Sequence, residues 1–255
     1  MDGDDNDKKS ILDFGEWLNV DAPTVARPVV HPLTWHDFSC LRTTEGMCAW
    51  SAPRCEACNG TEVVWGTAMD PCACRGLVAL GRRLTYARIP WTYRDVSLDH
   101  LTPEGRAWVA DYQTNSYGLR FLGLTGRGKT HRMLCAVRGL CERGITARYV
   151  SWALWLDDMR QAMGRDDEVN TLRARVERPM VVAIDDIGRE RDTDWAQSML
   201  DQLLERRTLA GRTVLLASNL TDEGLEHHLG DRLWSRLRAN TRPVIMTGKD
   251  WRAEK

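Results

Sequence analysis

Short runs rich in apolar residues alternate with longer amphipathic stretches from Gly118 onwards. Such runs, bounded by turn residues, are typical of strands, and strands that alternate with helices build a parallel sheet. Strands are predicted over 119–122, 148–152, 180–185, 214–217 and 244–247. The pattern therefore predicts the α/β fold class, with a parallel five-stranded sheet covered by helices.

Helical spacing fills the gaps between these strands. A helix over 130–143 is expected to end at Gly144, because glycine readily takes the left-handed conformation just past a helix. A second helix is predicted over 153–163, and a polar one over 167–178 that stops before Pro179. The segment after the third strand carries an apolar stripe that should face the core. The stripe consists of Trp195, Met199, Leu203 and Leu204.

The loop between the first strand and the first helix has a phosphate-binding signature. Residues 123–130 read Gly-Leu-Thr-Gly-Arg-Gly-Lys-Thr, a full match to GxxxxGK[ST]. Lys129 is the only lysine between Lys9 and Lys249, and a compact ammonium can reach between phosphate oxygens where a planar guanidinium is too broad. The loop therefore predicts ATP binding. The residues assigned to the nucleotide are Gly123, Thr125, Gly126, Arg127, Gly128, Lys129, Thr130, His131 and Asp185.

Two acids end the central strand. The apolar run 180–185 closes with Asp185 and continues with Asp186. A carboxylate at the carboxyl end of a parallel strand can hold Mg²⁺ opposite the hydroxyl of the phosphate loop. We therefore assign Mg²⁺ to Thr130 and Asp185, and the attacking water to Asp186. Asn219 follows the next strand and reaches the same edge, where it either orients water or the γ-phosphate or is an ordinary turn residue.

Four cysteines nearer the start have the spacing of metal ligands. They form Cys55-x-x-Cys58, thirteen further residues, and Cys72-x-Cys74. Four thiolates suit a closed tetrahedral Zn²⁺ site, and Gly60 lets the turn fold back so that backbone N–H groups point at the sulfurs. The alternative is a loop of free thiols. Nearby residues that can replace one ligand are Cys40, Cys48, His31 and His36.

Composition narrows the class of protein. The chain has 255 residues, of which 43% are hydrophobic, enough for one α/β domain and a smaller module. A formal net charge of −1 gives no general attraction to nucleic acid or membrane. The apolar runs are strand-sized, so we expect a cytoplasmic protein that does not contact a membrane.

Cys135 and Cys141 are expected to be ordinary small apolar residues of a helix.

These features divide the chain into four regions. We predict an acidic, mobile N-terminal segment over 1–45, a zinc-binding module over 46–85, a linker over 86–117 and the ATPase domain over 118–255. Within the first region, residues 11–20 can form a short partner-binding helix or pack on their own domain.

Several motifs together resemble the DnaC/DnaI-type helicase loaders of the AAA+ ATPases, and the IstB transposition helpers look similar. The resemblance covers residues 48–255 and implies an AAA+ P-loop αβα sandwich without a helical lid, preceded by a cysteine-rich module. Besides the phosphate loop with its following His131, the motifs that carry it are the segments 87–99, 181–188, 217–220 and 229–237.

The resemblance also implies roles for individual residues. Asn219 takes the sensor 1 position, and Arg236 resembles the arginine finger that reaches the ATP of a neighbouring subunit. Arg232 is a nearby competitor, and a solvated helix arginine is the alternative for Arg236. Arg252 resembles the sensor 2 residue. Asp186 is one methylene shorter than the glutamate of most AAA+ enzymes, which implies slow hydrolysis.

A function follows from the same resemblance. The chain is expected to form an ATP-dependent oligomer that loads a hexameric DnaB-type replicative helicase onto single-stranded DNA, with DNA stimulating hydrolysis. The arginine-containing stretch 152–165 is a candidate DNA contact or simply a solvated helix face. The rival functions are an IstB-like ATPase helper of a transposase and a non-hydrolysing AAA+ adaptor.

Overall fold

The computed structural model describes residues 38–250, apart from 53–54, 57, 60, 66–68, 73, 115–116, 190–192 and 249. Every described residue belongs to one compact unit of the chain. The candidate partner helix over 11–20 lies outside the described residues, as do Arg252 and the alternative zinc ligands His31 and His36.

Two antiparallel hairpins come first in the described part of the chain, and one helix follows them. The elements are β1 (Ser39–Arg42), β2 (Cys48–Ser51), β3 (Val63–Trp65), β4 (Met69–Pro71) and α1 (Arg75–Tyr86). β1 pairs with β2, and β3 with β4. β1 thus lies inside the segment 1–45 that we assigned to a mobile terminus, and the four-region division remains a prediction.

Short helical turns occupy the predicted linker over 86–117. They comprise 3-10 turns at Trp91–Tyr93, Leu98–His100 and Tyr112–Thr114, with α2 (Pro103–Ala110) between the last two. The hydroxyl of Thr102 accepts a hydrogen bond from the Gly105 N–H at 3.2 Å, which caps the start of α2. This region therefore packs into the same hydrophobic core as the helix over 129–142, since Trp108 and Val109 of α2 are buried there.

A parallel sheet of five strands forms the centre of the described structure, in the order β6-β7-β8-β5-β9. The strands are β5 (Gly118–Leu122), β6 (Ala147–Ser151), β7 (Val181–Ile187), β8 (Thr213–Ser218) and β9 (Thr241–Ile245). The predicted α/β fold with a parallel five-stranded sheet is confirmed.

Helices cover both faces of this sheet. They are α3 (Lys129–Glu142), α4 (Trp152–Gln161), α5 (Asp166–Glu177), α6 (Thr193–Leu209) and α7 (Asp222–Asn240). Because successive strand residues point to opposite faces, Val181 and Ala183 of β7 pack in the layer of α1, α2 and α3, whereas Val182 and Ile184 pack in the layer of α4 to α7. A strand covered on both sides explains why β7 is apolar at every position before Asp185.

β9 begins three residues before the strand predicted over 244–247. Pro243 lacks a backbone N–H and argues against a strand interior, yet proline is tolerated on an edge strand. β9 is such an edge, paired only with β5, and Pro243 lies opposite Arg120 in that ladder. The sheet position, which the sequence pattern does not reveal, therefore decides the start of β9.

Arg207 is buried among backbone carbonyl groups. Arg207 is 1% exposed, and its guanidinium donates to the carbonyl oxygens of Val176 (2.7 Å), Pro179 (3.0 Å) and Thr213 (2.6 Å). Burial lowers the pKa of Arg207 to about 9. The five donors of a guanidinium allow this fan of bonds, which ties the end of α5 to the starts of β7 and β8.

Among the described residues, no helix combines the length and the apolar character needed to cross a membrane.

Candidate functional site

Glycine makes the shape of the phosphate loop possible. Gly126 and Gly128 have φ angles of 81° and 78°, which other residues rarely adopt. A Cβ atom on Gly123 would lie 2.5 Å from the carbonyl oxygen of Met246, so the residue after β9 can approach the loop this closely only at a glycine. Gly128 is the N-cap of α3. The loop therefore curls around the first turn of α3, where free N–H groups attract anions.

The ammonium group of Lys129 lies inside this curl and is 6% exposed. Its Nζ donates to the carbonyl oxygens of Gly123 (2.7 Å) and Leu124 (2.9 Å). It also donates to Oδ1 of Asn219 at 2.7 Å. These acceptors are neutral, and an anionic oxygen makes a stronger bond to an ammonium group. The arrangement suits a side chain whose preferred partner is a phosphate.

Asp185 faces the hydroxyl of Thr130 across the site. Thr130 Oγ1 donates to the two carboxylate oxygens of Asp185 at 3.1 and 2.9 Å. The Tyr149 hydroxyl donates to Oδ2 at 3.1 Å, and the Asp186 N–H donates to Oδ1 at 3.1 Å. Burial raises the pKa of Asp185, while the Thr130 bond opposes that rise and the charge of Asp186 adds to it. These are oxygen ligands of the kind that Mg²⁺ binds.

Tyr149 is a residue of this site that the sequence analysis missed. It lies on β6, which pairs in parallel with β7, and burial followed by the Asp185 charge raises its pKa. Tyr149 is the central residue of β6 and lies opposite Ala183, two residues before Asp185 on β7. Only the strand order reveals that β6 and β7 are neighbours.

Asn219 connects the ammonium of Lys129 with Asp186. Its Oδ1 accepts from Lys129 and, at 3.4 Å, from the Thr125 hydroxyl, while its Nδ2 donates to Asp186 Oδ1 at 3.4 Å. A second cation, Arg189, lies 3.7 Å from Asp186 Oδ2. Asp186 itself has a φ of 61°, in the left-handed region that aspartate tolerates better than most residues. The backbone thereby turns its carboxylate towards Asn219 and away from the strand axis.

Arg236 lies on the second part of α7, beyond a kink at Gly230 (φ 74°). Its Nη1 donates to Asp201 Oδ1 at 2.6 Å, and its Nη2 donates to Glu205 Oε1 at 3.5 Å. Arg232 lies 3.6 Å from the other oxygen of Asp201, and its side chain is 75% exposed against 32% for Arg236. Within its own chain, Arg236 thus contacts acids of α6.

The four predicted zinc ligands meet in space. One sulfur from each of Cys55, Cys58, Cys72 and Cys74 lies within 4.8 Å of the others. The sulfurs of Cys55 and Cys72 are 3.7 Å apart, and those of Cys58 and Cys74 are 3.4 Å apart. All four residues are buried. Such a compact set of thiols fits the tetrahedral ligand shell that Zn²⁺ prefers, so the residues present suit the predicted metal.

In the candidate DNA-binding stretch 152–165, the two tryptophans are buried and only the other side chains can reach DNA. Trp152 and Trp155 are stacked with centroids 5.1 Å apart and are 0% and 5% exposed. Core side chains cannot serve as platforms for bases. Arg160 lies over the ring of Trp195, 4.6 Å from its centroid. Trp152 and Trp155 are therefore not available to stack on bases, whereas Leu154 and Met163 of the same stretch are exposed.

These features define a P-loop protein with an αβα sandwich. A family model described as "IstB-like ATP binding protein" matches residues 105–237, just over half of the chain. The chain belongs to this family, which confirms the DnaC/IstB-like resemblance. Its fold and its phosphate loop therefore agree with the ATP-binding character of the family.

Two curated relatives and one solved structure give the extent of the likeness. The uncharacterized protein YdaV of Escherichia coli (strain K12) is 30% identical over 152 residues, which are 58% of this chain and 60% of YdaV. The replicative helicase loader DnaC of the same strain is 23% identical over 155 residues, 59% of this chain and 62% of DnaC. The chain thus spans about three fifths of the length of these relatives.

The crystal structure of the DnaC helicase loader superimposes with a TM-score of 0.55 at 20% identity. The match covers 61% of this chain and 99% of that chain. At this identity the likeness shows the fold alone.

Proposed function

We propose that this protein is an ATPase that assembles with ATP and loads a hexameric DnaB-type replicative helicase onto single-stranded DNA. The observation that carries the ATPase part is the connected set of contacts from Lys129 through Asn219 to Asp186, beside the Thr130–Asp185 pair. It joins a phosphate-binding cation, an amide and a base at one edge of the sheet. The loader part is supported by the likeness to DnaC proteins.

ATP and Mg²⁺ suit the residues at this edge. The loop amides and Lys129 would hold the β- and γ-phosphates, because an anion replaces neutral carbonyls as the partner of a buried ammonium. Thr130 and Asp185 would hold Mg²⁺ through oxygen atoms. When bound, Mg²⁺ neutralises charge on the phosphates. Tyr149 donates to Asp185 and keeps that carboxylate aimed at the Thr130 hydroxyl.

Hydrolysis requires a base near the γ-phosphate, and Asp186 fills that role. Its side chain is 46% exposed, so water reaches it, and contacts with Asn219 and Arg189 fix its direction. The carboxylate accepts a proton from the attacking water. Aspartate is shorter than the glutamate usual in AAA+ enzymes, and a base held at a longer distance acts slowly. Slow turnover suits a timer that holds the loaded state.

Arg236 supplies the link between ATP and assembly. A guanidinium stabilises charge that develops on the transferred phosphoryl group. In its own chain Arg236 is oriented by Asp201 and Glu205 and remains partly exposed. It therefore presents a cation that a neighbouring subunit's nucleotide can accept, so hydrolysis depends on oligomer formation.

The test combines turnover with capture of the partner. Wild type should hydrolyse ATP with Mg²⁺, faster with single-stranded DNA, and should retain the host's replicative helicase in ATP more than in ADP. Asp186→Asn should still bind ATP and capture the helicase but not hydrolyse. Failure to retain the helicase with either ATP or ADP would contradict the loader function.

A transposase helper is the second candidate, since the family model that matches is the IstB-like one. It shares the ATPase chemistry and differs in the partner. Capture of a transposase, without the helicase, would favour it. ATP binding without measurable turnover in every condition would instead identify a non-hydrolysing adaptor.

A further inference from the structure

A second set of metal-ligating side chains lies beside the phosphate-loop helix. His100, His131 and Cys135 each offer one ligand atom, and these three atoms lie within 4.8 Å of one another. His131 Nε2 and His100 Nδ1 are 3.2 Å apart. We propose that these three residues form a binding site for Zn²⁺, separate from the four-cysteine cluster.

The backbone places the three ligands on one side of α3. His131 and Cys135 are four residues apart on this helix, so they share a face. His100 ends the 3-10 turn Leu98–His100 that packs on the same helix. A Cβ atom on Gly139 would lie 2.6 Å from Leu98 Cδ1, so the absence of a side chain there lets this turn approach α3 closely. The approach of His100 is therefore built into the packing.

The donor chemistry selects the class of metal. Two imidazole nitrogens and one thiolate sulfur suit Zn²⁺ and other first-row transition ions, whereas Mg²⁺ and Ca²⁺ prefer oxygen. Tetrahedral Zn²⁺ with Zn–N of about 2.0 Å and Zn–S of about 2.3 Å brings its ligand atoms to roughly 3.3–3.8 Å from one another. The 3.2 Å separation of the two histidine nitrogens lies next to this range. Three protein ligands leave a fourth position for water.

The site would connect two parts of the ATPase domain. His131 directly follows Thr130, and His100 belongs to the segment that precedes the sheet. A bound ion would fix this segment to the first turn of α3, the turn that lies under the phosphate loop. The inference revises the expectation that Cys135 is an ordinary apolar residue, and it does not depend on the loader function.

Metal content of the full-length chain tests the site. Wild type, His100→Ala and the control His227→Ala, which removes an exposed histidine of α7, are dialysed against Zn²⁺ and then against metal-free buffer. Wild type and His227→Ala should retain one ion per chain more than His100→Ala. This difference is expected whether or not the four cysteines are loaded, so the two sites are judged independently. Equal metal content in all three chains would overturn the proposal.

A second experiment measures Co²⁺ absorption and changes only cysteines. Co²⁺ added to the zinc-depleted wild-type chain should give a thiolate-to-metal absorption band from this site that Cys135→Ser lacks and Cys40→Ser retains. Thermal melts of each variant identify any loss of folding. A wild-type spectrum identical to that of a folded Cys135→Ser would equally contradict the site.

Discussion

Arg236 on α7 and Asp201 on α6 form an ion pair between these helices, with Nη1 and Oδ1 2.6 Å apart. The same aspartate also receives Arg232. The ion pair holds the guanidinium in a defined direction while leaving it 32% exposed. This geometry suits a side chain that acts on a neighbouring subunit and not on its own nucleotide.

Mixing two inactive variants tests action between subunits. Arg236→Ala retains its nucleotide site, and Lys129→Met retains its arginine, so each should hydrolyse ATP at a background rate alone. An equimolar mixture should recover a substantial part of the wild-type rate, because some interfaces combine an intact site with an intact arginine. ATP turnover at fixed total chain is the measurement. A mixture as inactive as its two components would contradict a catalytic role of Arg236 between subunits. The same mixing experiment with Arg232→Ala in place of Arg236→Ala is the comparison.

The carboxylate of Asp250 lies against the phosphate loop. A Cβ atom on Gly126 would lie 1.8 Å from Asp250 Oδ1, so this carboxylate rests directly on the loop. Asp250→Asn should raise ATP affinity several-fold, or about 1 kcal/mol, because a like charge near the phosphates is removed at a partly exposed position. Titration with a fluorescent ATP analogue measures the change. Asp231→Asn, on the exposed side of α7, should have no effect, and unchanged affinity for Asp250→Asn would refute the argument.

Asp185 illustrates the conflict between stability and function. Burial raises the pKa of Asp185, which means that the ionised carboxylate destabilises the native state at neutral pH. Asp185→Asn should therefore raise Tm while abolishing Mg²⁺-dependent turnover. The stabilisation should shrink as the pH falls through the raised pKa towards 3.8, since the wild-type carboxyl is then protonated and no longer penalised. A lower Tm for the variant at neutral pH would contradict this reading.

Arg207 is predicted to be essential for folding and irrelevant to catalysis. Arg207→Lys removes most of a fan of bonds to carbonyls and leaves buried acceptors unpaired, which should cost about 3 kcal/mol or more. Urea unfolding measures the difference. The neighbouring Arg206 forms an exposed pair with Glu177, so Arg206→Ala should change the free energy of unfolding by less than about 1 kcal/mol. An equal loss of unfolding free energy in Arg207→Lys and Arg206→Ala would contradict the prediction that the buried arginine contributes more to stability than the exposed one.

Much of this fold follows from local pattern. The alternation of apolar runs and helical stretches predicts the five strands, and GxxxxGK[ST] identifies the phosphate loop because that motif depends on contiguous backbone geometry. The cluster of four cysteines was also predictable, since the spacing within each pair is short-range. A feature that depends on residues close together in the chain can therefore be predicted from the sequence.

The missed features all depend on which elements become neighbours. Tyr149 reaches Asp185 because β6 pairs with β7, and Asp201 meets Arg236 because α6 packs against α7. His100 meets His131 only through the close approach at Gly139. The strand status of Pro243 likewise depends on the edge position of β9. Pair contacts across tens of residues have no periodic signal in a single sequence.

The central claim is that Lys129 holds a triphosphate, and ATP titration of Lys129→Met tests it most directly. Loss of a charge-assisted contact in a buried site should weaken ATP binding by at least about tenfold, with Lys129→Arg no better, because a guanidinium does not fit the same position. A thermal melt confirms that each variant is folded. ATP affinity equal to that of wild type in folded Lys129→Met would contradict the account.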